Sequence, residues 1–586
     1  MSMPALLTAA PPQWSALDAL ESLLQAQDQA GRPFSPAACA ELDRLEQFPA
    51  AACRLLDAFG LHRHYVPRRH GGLMADHAEL VQLWRAVARR DLTIAVGHGK
   101  TFLGAACVWV AADSEQARRL AQEIAAGAVV SWGLTERQHG SDLLAGELAA
   151  SKTDDGWRVN GEKWLINNAT RGQLLCALAR TDPAGGPRGF SLLLIDKRQL
   201  TETEYRCLPK ERTHGIRGAD ISGIAYQDAQ VPDRALVGQA GQGIEIVLKA
   251  LQLSRTTCVA LSLGAADHAL QLALDFAAQR ILYERRLIAL PLVRRIFGEV
   301  TASLLTAEVV SVVASRCIHA LPGEMSVVSA LTKAFVPSTI DQVLTQLGDL
   351  IGARAFLSEE HAHGMFQKIE RDHRIVAIFD GSTVVNRNAL INQFRGLARA
   401  YHGQHWEREG LTQAVNLAAA LPEFAPQRLR LVSAGGCSVL QSLPAAVAQL
   451  GDLPAAVLRL AARLDRAAAA LMQELAAYQP APREVPPQAF ELARRYELCF
   501  AGAACVQFWL ANRAALSNPP LWRNGLWLQA CLLRILEQLD PGAIQDEDED
   551  EEDDGDIYAG LTDCIAPNSG SGRIRVSLLP DAAWES

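Results

Sequence analysis

Apolar positions recur at intervals of three and four through Ala50 to Leu61 and Leu80 to Val87, in a background rich in Ala, Leu, Gln and Arg. That spacing lines one face of an α-helix with residues that favour helix, so residues 14–128 are expected to form a helical domain. One break, Pro67-Arg-Arg-His-Gly-Gly72, reads as a turn between two helices. The texture changes near Ala128. Short alternating segments such as Trp157-Arg-Val-Asn-Gly161 and Phe190-Ser-Leu-Leu-Leu-Ile195, separated by turn-forming residues over Asp182 to Arg188, predict a β domain over 129–240. After Gly243 the helical period returns, with long segments at 244–281 and 291–320, and predicts a third, helical domain over 241–401. Helix, sheet, helix in that order implies a β domain set between two helical bundles, not an alternating βαβ fold. The class is α+β, mostly α.

Beyond residue 401 the pattern continues as a helical extension over 402–540. Its two helix-rich stretches, near 426–477 and 486–538, are joined by the stiff linker Tyr478-Gln-Pro-Ala-Pro-Arg-Glu-Val-Pro-Pro487. Residues 541–586 open with an acidic run from Asp546 to Asp554, whose like charges repel and bury nothing, so this tail is expected to be disordered. No internal repeat is evident.

Composition narrows the class. At 586 residues, with 49% hydrophobic and 21% charged residues, the chain suits a soluble multidomain protein. The net charge of −9 is set by that acidic run, and the rest is near neutral, so no nucleic-acid partner is expected. Twelve cysteines without a C-x-x-C pair argue against a zinc site or disulfide framework. The pairs His361-Ala-His363 and His62-Arg-His64 lack a third ligand, and no metal is assigned. The N-terminus has no basic leader, and no uninterrupted apolar run reaches the ~20 residues of a membrane span. The expected location is cytoplasmic. Trp509, Arg513, Trp522, Arg523, Trp527 and Arg534 are expected in a helix hairpin packed on the body, though the same cluster suits a membrane-surface or partner contact.

Candidate chemistry begins with Gly133-Leu-Thr-Glu-Arg-Gln-His-Gly-Ser-Asp142 and Asn160-Gly-Glu-Lys-Trp-Leu-Ile-Asn-Asn168. Thr135, Gly140 and Ser141 can present N–H and O–H groups to a polar ring edge or a phosphate, and a polar hairpin loop would read the same way. A later segment, Lys368-Ile-Glu-Arg-Asp-His-Arg-Ile-Val-Ala-Ile-Phe-Asp-Gly-Ser-Thr383, sets a carboxylate before a turn.

Together these segments resemble the acyl-CoA dehydrogenase family, whose motifs read T-E-P-x-x-G-S-D, N-G-x-K-x-W-I-T-N and K-x-x-R-D-x-x-x-x-x-x-[YF]-E-G-T. The resemblance spans about residues 14–400. It implies FAD as cofactor, with Thr135, Gly140, Ser141, Leu165 and Asn167 lining the flavin and Ser382 beside it. Leu165 replaces the family aromatic, and Asn167 replaces a Thr or Ser that bonds the flavin edge. Arg255 matches an arginine near the family's active site, and Arg371 and Asp372 keep the register that makes Asp380 the counterpart of the catalytic glutamate. Arg387 also matches and is assigned with Arg255 and Asp380 to the catalytic group. Ser254 occupies the place where some members carry their base instead. Arg280, in Arg280-Ile-Leu-Tyr-Glu284, resembles an arginine that reaches the FAD diphosphate of a neighbouring subunit, which implies a homodimer or homotetramer. Asp349 stands where the family has a FAD-binding Gln, with Gln346 one turn away, and Gly352-Ala-Arg-Ala-Phe356 loosely copies a family glycine loop.

The implied reaction is α,β-dehydrogenation of an acyl thioester carried on coenzyme A or an acyl carrier protein. Electrons would pass to an electron-transfer flavoprotein or to oxygen. Aspartate as base also suits a flavin oxidase of nitroalkane-oxidase type, since that branch uses aspartate on more acidic substrates. The substitutions Arg137, Leu165, Asn167, Glu284, Pro291 and Asp349 motivate a third reading, a catalytically weak scaffold.

Overall fold

The computed structural model describes residues 14–481, 484–516, 520–540, 556–566 and 576–580. Helices occupy the chain from Ser15 to Ala125, among them His77–Ala88 and Leu92–Ala111. Asp76 and Asp91 cap those two by accepting from the N–H of Ala78 (2.7 Å) and Ile94 (2.9 Å).

Eight strands follow: β1 (Val130–Gly133), β2 (Ala149–Lys152), β3 (Gly156–Asn167), β4 (Leu174–Arg180), β5 (Phe190–Asp196), β6 (Tyr205–Leu208), β7 (Ile221–Pro232) and β8 (Leu236–Val237). They form one sheet in the order β6-β7-β3-β2-β4-β5-β8, with β1 parallel to β4 at the face that meets the helices. The β3–β7 ladder slips in register between Trp164 and Ile166, and Leu165 takes a left-handed φ of 54° there. This bulge ends β3 beside the helix Leu92–Ala111.

The second helical set comprises Gly243–Thr257, Val259–Gln279, Pro291–Ala320 and Met325–Ile351. The helical segment expected over 244–281 comprises two helices that meet at Cys258. Leu92–Ala111, the Gly243–Gln279 segment and Pro291–Ala320 are long and apolar enough to cross a bilayer, but 72% to 89% of each apolar window is buried inside the fold. They are interior helices. Pro291 is explained locally as the first residue of its helix, where a missing N–H costs nothing.

The extension packs on this bundle through Ala455–Ala477, Pro487–Asn512 and Leu526–Leu539. Trp509, Trp522 and Trp527 are buried against one another, with Trp509 stacked on Trp522 at 5.4 Å. They therefore form part of the core and not an exposed membrane-facing patch. The expectation of disorder is corrected for two pieces of the tail. Ile557–Ile565 is a helix that lies on Pro291–Ala320 so closely that a Cβ on Gly298 would come 2.1 Å from the Tyr558 carbonyl oxygen. Val576, Ser577, Leu578 and Leu579 are buried. The Ser577 hydroxyl and the Leu578 N–H donate to the Glu308 carboxylate at 2.6 Å each, and Glu308 also pairs with fully buried Arg85. The acidic run itself lies outside the described residues.

Candidate active site

The helix Leu92–Ala111 carries Lys100 and no other Lys, Arg, Asp or Glu, in a largely apolar stretch. Val96 and Lys100, one turn apart, are partly accessible while the residues between them are buried. Each meets a residue singled out by the sequence. The Asn167 amide donates to the Val96 carbonyl at 3.5 Å, and Lys100 Nζ lies 3.4 Å from Asp380 Oδ1. A turn of helix rises about 5.4 Å, so the end of β3 and the turn bearing Asp380 face adjacent steps of one helix.

Asp380 sits in the turn after Met365–His373, with φ of 55°, and Gly381 follows at 99°. Aspartate tolerates the left-handed region better than most side chains. Gly381 is required, since a Cβ there would come 2.9 Å from Arg255 Nη2. Three groups clamp the turn. Arg255 Nε donates to the Asp380 carbonyl at 3.0 Å. Lys333 Nζ donates to the carbonyls of Val376, Phe379 and Gly381 at 2.6, 2.8 and 3.3 Å. The Asn386 amide holds the carbonyls of Gly381 and Ser382 at 2.8 and 3.0 Å. The preceding helix is itself anchored: Lys368 bridges Asp91 and Asp372, and Asp372 accepts from the Ile216 N–H at 2.5 Å.

The carboxylate is 9% exposed. Lys100 holds Oδ1, and the Cys258 thiol donates to Oδ2 at 3.6 Å. Burial brings Lys333 down to about 8 against the pull of Cys258 and Asp380, and brings Arg255 down to about 10 against Asp380. Burial also raises the Cys258 thiol, and Asp380 adds to that, so it remains a protonated donor.

The other assigned residues divide into two groups. Thr135 follows β1, and its carbonyl accepts from the Trp164 N–H at 3.0 Å, which ties the loop to the end of β3. Leu165 is 41% exposed beside it, Gly140 borders open space and Ser141 is exposed. The Asn167 side-chain oxygen is buried with no hydrogen-bond partner among the described residues. Such acceptors are rarely left unsatisfied, so the position suits a ring edge that offers a donor, as a flavin does.

Of the remaining assignments, that of Arg387 to the catalytic group needs correction, and the others, Ser382 apart, lie away from Asp380. Arg387 does not face Asp380. Its guanidinium makes a two-point pair at 2.9 Å with buried Glu497 of the extension. Ser382 caps the helix Thr383–Ile391 by accepting from the Val385 N–H at 3.4 Å. Gln346 donates to Glu299 at 3.4 Å, on the side facing the extension, and Asp349 is exposed. Arg280 ends Val259–Gln279 and borders a depression of about 420 Å³ shared with Phe276, Arg354 and His361. It is followed by a hairpin whose two turn residues, Tyr283 and Glu284, have positive φ.

Lys100, Cys258, Lys333 and Glu497 were not singled out by sequence. Only Lys100 left a signal, as a lone cation in an apolar helix.

Three family models match the chain: the acyl-CoA dehydrogenase N-terminal domain over 26–128, the middle domain over 131–229 and the C-terminal domain over 241–394. A probable acyl-CoA dehydrogenase of Mycobacterium tuberculosis is 26% identical over 351 residues, covering 59% of this chain and 88% of the relative. The human mitochondrial short-chain specific acyl-CoA dehydrogenase is 24% identical over 388 residues, covering 65% and 90%. An acyl-CoA dehydrogenase of Bacillus anthracis, solved in complex with FAD, shares the fold over 98% of this chain and 95% of its own, with a TM-score of 0.69 at 18% identity. That likeness includes the extension.

Proposed function

Because this chain belongs to the acyl-CoA dehydrogenase family and is a FAD-dependent oxidoreductase, we propose that it converts an acyl thioester to its 2,3-enoyl form with Asp380 as the α-proton base. The observation that carries this reading is the clamped turn. It fixes the Asp380 backbone through its carbonyl neighbours and sets the carboxylate one helical step from Asn167. When bound, FAD supplies the acceptor for the β-hydrogen and its electron pair.

The protein's own work is positional and electrostatic. Asp380 takes the α-proton, and its low exposure keeps water from competing for the carboxylate. Lys100 and Arg255 place positive charge beside the carbon that becomes electron-rich, where a prearranged field lowers the barrier. Aspartate is shorter than glutamate by about 1–1.5 Å, and a 1 Å misplacement can cost on the order of 10²-fold in rate. The substrate is therefore expected to sit deeper toward the turn than a glutamate base would require.

Arg280 and Arg354 form a two-arginine rim suited to the diphosphate of a FAD held by a second copy. Exposed Ile281, Tyr283 (90%) and Phe356 (89%) on the neighbouring segments favour such a copy. The carrier, coenzyme A or an acyl carrier protein, and the acceptor, an electron-transfer flavoprotein or oxygen, are to be assigned by assay. The reaction is tested by incubating purified protein with acyl thioesters and a redox dye, then seeking a product two hydrogens lighter by mass spectrometry. Enoyl product supports the reading. Nitroalkane consumption with peroxide release would replace it with the oxidase reading, and a protein that takes up no FAD would leave the scaffold.

A further inference from the structure

Beyond residue 426 the extension returns to the edge of the active site. Gln252 and Arg255, three residues apart and so on one face of the helix Gly243–Thr257, hold two backbone segments side by side. Arg255 Nε donates to the Asp380 carbonyl at 3.0 Å, and the Gln252 amide donates to the Arg430 carbonyl at 2.7 Å. The loop 427–436 then runs along the helix Phe394–His402. The Ser433 N–H donates to Gln393 at 2.9 Å, and a Cβ on Gly436 would come 2.5 Å from that of Ala400. One face therefore joins the extension to the turn that bears Asp380.

That face is basic. Residues 381–406 and 424–451 contain no Asp or Glu. Arg395 and Arg399, one turn apart on the helix, and Arg428 and Arg430 on the loop are all exposed, and none pairs with a carboxylate among the described residues. Arg387, in the same stretch, differs because Glu497 takes it. The acids at the margin face other partners, Glu423 toward Arg69 and Asp465 toward Arg466. Exposed apolar side chains accompany the arginines: Leu431 (41%) and Val432 (63%) on the loop, and Val384 (62%) at the start of the helix that follows the catalytic turn. A phosphate would pair with the arginines and gain nothing from the apolar residues. A protein helix that carries carboxylates and apolar side chains uses both.

We propose that this face docks a small acidic carrier protein, which presents the acyl group on its thiol arm so that the thioester enters beside Asp380 from the side of the extension. The inference rests on the thioester reading above and adds which carrier delivers the substrate. The arginines steer and orient the encounter, and the apolar residues hold the complex once water is excluded.

The test uses the FAD-loaded protein under anaerobic conditions and presents one acyl group, the best from the thioester assay above, on pantetheine, on coenzyme A and on an acidic acyl carrier protein. Flavin bleaching gives a rate and a half-saturation concentration for each. The carrier protein is expected to half-saturate about tenfold or more below coenzyme A, and the margin should vanish as NaCl rises from about 0.05 M to about 0.3 M. Arg395→Glu combined with Arg428→Glu should raise the carrier-protein value by about tenfold or more while leaving bleaching by acyl-pantetheine unchanged. Arg206→Glu, an equal change per residue on the exposed part of the strand Tyr205–Leu208, should alter neither. Equal half-saturation by coenzyme A and the carrier protein in the wild type would overturn the proposal. So would a loss of the same size in Arg206→Glu, because net charge alone would then act. A coenzyme A thioester weakened by the double substitution as much as the carrier protein would give the face to phosphate instead. An oligonucleotide that displaces the carrier protein at equal concentration would reject the carrier as the face's partner. If none of the three thioesters bleaches the flavin, the thioester reading itself fails. Calorimetric titration with the carrier protein then decides the surface by itself, and the absence of a salt-sensitive heat rejects it.

Discussion

Replacing Arg387 by Met strands Glu497, a buried carboxylate whose two oxygens are both held by that guanidinium. Burial already raises Glu497 above its ordinary 4.5 despite the pairing. Without Arg387 the cheapest response is to take up a proton, and at about pH 7.5 holding a group of ordinary value 4.5 neutral costs about 4 kcal/mol, the ceiling on this loss. At about pH 5.5 the same ceiling is about 1.4 kcal/mol. The sign follows from linkage. A carboxyl raised by folding binds protons more tightly in the folded state, so its stability contribution is present below 4.5 and is lost as pH rises through the folded value. The midpoint of urea unfolding, followed by tryptophan fluorescence, should therefore fall sharply in Arg387→Met near pH 7.5 and recover much of the gap near pH 5.5. Midpoints are compared instead of extrapolated energies because a chain of several packed units need not unfold in two states. Glu497→Gln should show a loss that does not change with pH, since the titrating group is gone. An Arg387→Met deficit of equal size at both pH values would refute the reasoning.

Two further outcomes are expected. Asn167→Leu removes an amide whose oxygen is buried without a partner among the described residues, so it should weaken FAD retention by about tenfold or more while leaving the unfolding stability of the apoprotein within about 1 kcal/mol of wild type, as equilibrium dialysis and urea titration would show. Ser577→Ala deprives buried Glu308 of one donor and should cost about 1–3 kcal/mol in urea unfolding without altering substrate preference. An unchanged midpoint would show that the tail contact contributes nothing.

Period and texture alone located the helical segments, the sheet and the return to helix, because each depends on local spacing that the sequence displays directly. The turn bearing Asp380 was legible for a similar reason: Arg371 and Asp372 precede it at fixed spacing, and the latter does anchor the segment through Lys368 and Ile216. What escaped were partners distant in sequence. Lys100 reaches Asp380 across 280 positions and Arg387 reaches Glu497 across 110, and no local pattern records such pairings. Arg387 was misassigned because a matched position says nothing of where its side chain turns once an extension is packed beside it. The buried tail residues were obscured by the acidic run before them, whose composition dominates any reading of the segment. Their anchors lie far off in the chain: Ser577 and Leu578 donate to Glu308, and Arg85 donates to the Val576 carbonyl.

The most direct test of Asp380 as the base is anaerobic stopped-flow of the FAD-loaded protein with its best acyl thioester, comparing wild type with Asp380→Asn. Asparagine keeps the size and the hydrogen-bonding edge but cannot accept the α-proton. Flavin bleaching should slow by about 10²–10⁴-fold with Kd little changed. Bleaching at the wild-type rate in Asp380→Asn would contradict the assignment and place the base elsewhere.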